Sequence, residues 1–266
     1  MIGARALRAQ QLLGVACAAF LAVGCAASNA PRAARPESNA AGATNASADS
    51  SRDRIVVSLD LRRDAELAGG RDRYRVRNAD LSVEFRSSSG ASIDAGELAV
   101  EGRALGRVVS GSGTRRRVRY RAGREVIDGL PPPGADGWVA LVASGSGAFA
   151  PARLRVQLAP LAEVIEPAPG EALYRSQGLV VAIAPPPAGV HVRVRYTSAD
   201  DGLTANEVGA GRYEFPRDQI AAVTPGPARV VIETDTGCGE CPARAGVVLR
   251  WSTHSELEVP LTIFER

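Results

Sequence analysis

The sequence predicts an all-β protein, two tandem β-sandwich domains behind an N-terminal signal peptide and a disordered linker. Three observations carry that expectation. From Ile55 to the C-terminus apolar and polar residues alternate at period two, as half-buried strands require. The runs are short and are separated by turn clusters such as SSSG, SGSGT and PPPGADG. No stretch makes a long amphipathic helix, which disfavours a parallel α/β architecture.

Composition is that of a globular protein: 45% of the 266 residues are hydrophobic and 23% charged, enough to bury a core. Every basic residue is Arg, which reads as genome composition rather than as a requirement for guanidinium chemistry. Removing the segment that carries Arg5 and Arg8 leaves 30 basic residues against 29 acidic ones, so overall charge implies no nucleic-acid partner. The distribution is uneven: residues 53–158 hold 18 Arg and 13 acidic residues, and residues 159–266 hold 9 Arg and 14 acidic ones. Halves of opposite sign point to mutual attraction or to one basic binding face.

Residues 1–24 have the form of a signal peptide. Arg5 and Arg8 precede an uncharged run from Leu12 to Gly24, too short to span a bilayer, which needs about 20 apolar residues. The run ends Leu21-Ala22-Val23-Gly24-Cys25, which resembles the lipobox of bacterial lipoproteins. That resemblance implies a diacylglyceryl group on the Cys25 thiol, cleavage before Cys25, and a lipidated N-terminus. Two or more acyl chains, at about 0.8 kcal/mol per buried methylene, hold a protein on a membrane essentially permanently. Ala26 and Ala27 follow, with no Asp to signal retention in an inner membrane, so the expected location is an exported, membrane-anchored one, at the outer membrane.

Residues 25–52 are the lipidated Cys and a linker. Positions 26–52 contain no Val, Ile, Leu, Met, Phe, Trp or Tyr, so nothing there offsets the entropy of ordering the backbone. As a flexible coil this segment spans about 30 Å.

Residues 53–158 are expected to form the first sandwich. Ile55, Val57, Leu59 and Leu61 share one strand face, Ser58 and Asp60 the other. Further strands are expected at 73–77, 81–86, 97–101, 117–121, 138–143 and 153–158. A Pro-rich passage from Pro160 to Gly170 opens the second half, 159–266, with strands at 179–183, 190–196, 212–215, 229–234, 247–252 and 258–264. The boundary is placed near residue 159.

Each half has the size and turn spacing of an immunoglobulin-like β-sandwich. Through Ile165-Glu166-Pro167 with Gly170, then Gly211 to Pro216, then Gly226 to Ile232, residues 161–266 resemble the immunoglobulin-like or fibronectin-III-like domains of bacterial surface lipoproteins. The resemblance implies a fold and does not transfer a function.

Cys238-Gly239-Glu240-Cys241 is the sharpest local motif. A redox C-x-x-C draws on a helix N-terminus to depress the thiol pKa, whereas here Pro242 and a strand pattern with Val247, Leu249 and Trp251 follow. A structural disulfide tying a hairpin loop is the favoured reading; a thiol-disulfide oxidoreductase using Cys238 and Cys241 is the alternative. His254 completes C-x2-C-x12-H without the second His of a zinc finger. His191, between Val190 and Val192, falls on an outward strand face, and Asp200-Asp201-Gly202 reads as a turn. There is no G-x-S-x-G elbow, and a P-loop is impossible without Lys. No metal and no cofactor are expected.

The candidate anionic-ligand face is two Arg rows, Arg73/Arg75/Arg77 and Arg117/Arg119/Arg121, each alternating with inward residues at about 6.6 Å spacing. Were the two strands neighbours, they would form one basic plate; were Glu84, Glu97 and Glu101 opposite, the rows would be ordinary cross-strand ion pairs. The expected function is a non-enzymatic, lipid-anchored envelope or surface protein that binds or scaffolds. Its partners are the membrane through the lipid, and envelope polysaccharide or another envelope protein.

Overall fold

A computed structural model describes residues 54–69, 73–132 and 135–265. The signal peptide, Cys25 and the linker to residue 52 lie outside the described residues.

The first half supplies strands β1 (Ile55–Leu67), β2 (Tyr74–Ser87), β3 (Ser92–Ile93), β4 (Leu98–Val100), β5 (Arg103–Ala104), β6 (Gly106–Ser110), β7 (Arg117–Ala122), β8 (Trp138–Ala143) and β9 (Ala152–Gln157), with helix α1 (Arg124–Ile127). The second supplies β10 (Val164–Glu166), β11 (Glu171–Tyr174), β12 (Leu179–Ile183), β13 (His191–Thr197), β14 (Gly202–Thr204), β15 (Asn206–Gly209), β16 (Arg212–Phe215), α2 (Arg217–Ala222), β17 (Gly226–Arg244) and β18 (Val247–Phe264). The protein is all-β, as its alternation predicts.

One ten-stranded sheet runs β14-β13-β17-β18-β1-β2-β7-β6, with β11 also on β18 and β3 on β2. Two four-stranded sheets, β5-β4-β8-β9 and β10-β12-β16-β15, complete the architecture. The seam of the long sheet is the parallel pairing of β1 with β18, in register from Ile55↔Val247 to Glu66↔Glu258. Strands from both sides of residue 159 thus share one sheet, and the described residues form one compact unit.

The inward positions are those the alternation selects. Val57, Leu59 and Leu61 on β1, Leu81, Val83 and Phe85 on β2, and Val230 and Ile232 on β17 are all buried. Phe85 stands edge-on to Tyr120, 5.9 Å away, and to Phe149, 4.9 Å away, joining the long sheet to the connection between β8 and β9 of the first small one. Tyr196 on β13 meets Phe215 on β16 in the same way at 6.4 Å. Burying an aromatic of this size is worth about 2 to 3 kcal/mol, so these contacts anchor each small sheet.

Several expected strands are fragments of longer ones. Positions 74–77 and 81–86 both belong to β2, which passes through Asn78 with a register shift opposite Asp64 and Ala65. Likewise 247–252 and 258–264 are one 18-residue strand, β18. The apparent break is chemical: at mid-strand the inward face turns polar, with Thr234, Thr236, Thr253 and Ser255 all buried.

Those hydroxyls hold the chain that joins the two halves. Ala159 N donates to Thr253 Oγ1 at 2.7 Å, Ser255 Oγ to Ala159 O at 2.6 Å, and Thr234 Oγ1 to Pro160 O at 2.6 Å. Thr236 Oγ1 donates to Gly189 O at 3.0 Å, and the amide of Gln157 to Asp136 O and Ala188 O, both at 3.2 Å. Leu158 to Leu161 are buried, and a buried irregular segment is tolerated only where its backbone groups find partners. The polar seam is what allows the linker to cross the interior.

Candidate anion-binding face

Outward positions on four adjacent strands of the long sheet meet in register. Ser58 on β1 lies between Arg250 on β18 and Glu84 on β2, and Glu84 lies opposite Arg119 on β7. At about 4.8 Å per strand this row is about 14 Å long. With Asp60, Ser82, Arg86 and Arg121 it lines a groove of about 700 Å³. A second groove of about 500 Å³ shares Glu84 and Arg86 and is lined by Arg115, Arg116 and Arg117.

Acidic partners are too few for these cations. Arg119 Nε donates to Glu84 Oε1 at 2.5 Å and Arg86 Nε to Glu84 Oε2 at 3.0 Å, so one carboxylate serves two guanidinium groups. Burial alone would push the Glu84 carboxyl up; the hydrogen bonds from Arg86 and Arg119 overcome it and hold the group below the usual carboxylate range. Asp94 is shared in the same way by Arg107, whose Nε donates at 3.1 Å, and by Arg116 at 3.5 Å. The Arg107 hydrogen bond holds Asp94 below its ordinary pKa against the opposing effect of burial. Arg115, Arg117 and Arg121 are exposed and form no ion pair among the described residues.

The two expected Arg rows sit at opposite ends of β2. Arg75 pairs in register with Glu66, whereas Glu84 meets Arg119, nine residues and about 30 Å further along the strand. Arg73 precedes β2, and Arg77, beside the register shift, reaches across β1 to Glu258, which also accepts from Arg229 Nη1 at 2.9 Å. The six residues therefore do not form one plate. Arg117, Arg119 and Arg121 are joined instead by Arg86, Arg115, Arg116 and Arg250, which sequence reasoning missed. Arg86 was legible in principle, since it has the same strand parity as Glu84; Arg250 was not, because it arrives from a strand far along the chain.

Cys238 and Cys241 are joined by a disulfide. They lie in β17 where Cys238 faces Trp251 and Cys241 faces Leu249, so the bridge closes over one extra residue, a β-bulge. The hairpin turn itself is Ala245-Gly246, with Gly246 at φ 74°, a few residues beyond the bridge. No helix end adjoins the sulfurs to favour a thiolate. The bulge carries Glu240, which accepts from Arg250 Nη2 at 2.5 Å, so the bridge fixes an acidic group at the rim of the larger groove. His254 Nδ1 lies 2.8 Å from Asp235 Oδ1 on the outward face. His191 is exposed opposite the same aspartate. Among the described residues no group of three His, Cys, Asp or Glu side chains could hold a metal.

No family model matches the chain, and no curated protein matches it. Solved structures give faint likenesses. One is to the structures described as Clostridium thermocellum CbhA fibronectin(III)-like modules, at 10% identity and a TM-score of 0.21, covering 77% of this chain and 94% of that one. Another is to the yeast delta-COP-I mu-homology domain, at 10% identity and a TM-score of 0.21, covering 80% of this chain and 98% of that one. At that TM-score neither says what this fold belongs to; the all-β assignment stands on the sheets themselves.

The paired acids set a pH dependence. At Glu258 burial raises the carboxyl and the hydrogen bonds from Arg77 and Arg229 outweigh it, so Glu258, Glu84 and Asp94 are all held below their ordinary values. Each contributes stability that is complete above the unfolded pKa and is lost as pH falls through the lower folded pKa. The melting temperature should therefore be insensitive to these groups from pH 8 to 5 and fall steeply below about pH 4, as circular dichroism melts across that range will show.

Proposed function

We propose that the chain is an exported, lipid-anchored envelope protein whose all-β body is a non-enzymatic binding or structural module. The observation that carries the binding half of this reading is the outward face of the long sheet, where a grooved end gathers more guanidinium groups than carboxylates. A charged, open sheet face on a body whose halves share one sheet is suited to holding a partner at a fixed orientation.

The anchoring half rests on Leu21-Ala22-Val23-Gly24-Cys25 and on the apolar-free linker behind it. Among the described residues no helix is long and apolar enough to cross a membrane. In this reading Cys25 carries the lipid, residues 26–52 supply reach, and the partners are the outer membrane through the acyl chains and an envelope polysaccharide or protein through the sheet face. Cys25→Ala should move the protein from the membrane fraction to the soluble fraction and abolish labelling by a fatty-acid probe. Unchanged fractionation and labelling would overturn the anchor.

A further inference from the structure

We infer that the two adjoining grooves, the larger lined by Arg86, Arg119 and Arg121 and the smaller by Arg86 and Arg117, together bind an acidic polysaccharide in extended form, an inference that rests on the binding-module reading and names its ligand class.

Charge is the first ground. Arg117 and Arg121 are exposed with no ion pair among the described residues, and Arg86 and Arg119 share the single carboxylate of Glu84. A guanidinium fork matches a carboxylate in two parallel hydrogen bonds, so unmatched forks in a groove select anions. Spacing is the second ground. Arg117, Arg119 and Arg121 alternate along one strand at about 6.6 Å, which suits a chain bearing regularly repeated charges better than one compact anion.

The floor decides between kinds of polyanion. The larger groove is lined by Ser58, Ser82, Ser87 and Ser88 beside its Arg residues, with Asp60 and Asp80 on the β1–β2 side away from the β7 row, and Val56 is the only apolar side chain lining it. Serine hydroxyls complement sugar hydroxyls. A bilayer-docking face instead carries projecting aromatic or aliphatic side chains among its cations, and the groove has no aromatic residue. Neutral glycans are held largely by stacking on aromatic faces, which are absent here as well.

The test uses the full-length chain and polygalacturonate as probe, followed by titration calorimetry. Binding is expected, weakening several-fold between 50 and 200 mM salt as surface charges are screened. The double variant Arg117→Ser/Arg121→Ser should bind at least about tenfold more weakly with its melting temperature unchanged, because neither side chain is paired in the fold. The matched variant Arg73→Ser/Arg75→Ser, at the far end of β2, should bind as the parent does. Dextran should not bind. Equal losses in the two variants, or retained affinity in the first, overturn the site. With the acyl anchor removed by Cys25→Ala, tighter binding to phosphatidylglycerol vesicles than to polygalacturonate overturns the ligand class in favour of a membrane surface. Either failure leaves the anchored-module reading intact, since that is decided separately by the fractionation of Cys25→Ala.

Discussion

Phe85→Ala should destabilise the body by about 4 kcal/mol, and it should do so in one transition that includes both halves. The side chain is fully buried, wedged between Tyr120 and Phe149. Truncating a buried Phe to Ala costs about 3 to 5 kcal/mol through lost transfer energy and the cavity left behind. For a body of about 210 residues that corresponds to a fall of about 10 °C in melting temperature. Cooperativity is the more informative part. Two tandem domains joined only by a linker would melt separately, and a lesion in the first would leave the second where it was. Here β1 pairs with β18 over its length from Ile55 to Glu66, and the linker is tied into the interior by Thr234, Thr253 and Ser255. Opening the first half strips one neighbour from β18, so the second half should follow. Calorimetry of the variant that gives two peaks, one of them unmoved from the parent, would show that the shared sheet does not couple them.

What was legible in the sequence is local. Face assignment follows from the period-two rule, and Val57, Leu59 and Leu61 point inward while Ser58 and Asp60 point outward as read. Strand length was not legible, because the rule that finds strands expects apolar inward positions. Thr253 and Ser255 stand on the inward face of β18, but they bond to the backbone of Ala159 rather than packing on another apolar layer, and so mimic a strand end. Partner choice was not legible either. The β1–β18 pairing joins residues about 190 positions apart, and no local pattern encodes a contact of that range. The candidate site inherits both limits. The row on β7 was visible as alternation, whereas the separation of Arg73 and Arg75 from it, and the arrival of Arg250, depend on which strands lie side by side.

The same blind spot hides Arg63, and its substitutions are expected to separate packing from charge. Alternation from Leu61 puts Arg63 on the inward face, where it is 1% exposed. Its Nη2 donates to Ala159 O at 3.0 Å, Nη1 to Pro131 O at 3.4 Å, and Nε to Ser255 Oγ at 3.3 Å. Burial pulls the guanidinium down to about 10, against smaller opposing contributions from Tyr74 and Asp128, which leaves it charged at neutral pH. That lowering corresponds to about 3 kcal/mol of disfavour for the charged form. Three hydrogen bonds from a charged donor, two of them long, return about the same amount. The head group is therefore close to break-even, and the net contribution of Arg63 is the packing of its aliphatic stem. On that reckoning Arg63→Ala loses about 3 kcal/mol in urea unfolding at pH 7, while Arg63→Met, which fills the space without the charge, loses less than about half as much. If Arg63→Met is as damaging as Arg63→Ala, the guanidinium itself is holding the linker across the core, and the two halves are joined by charge-assisted hydrogen bonds rather than by shape.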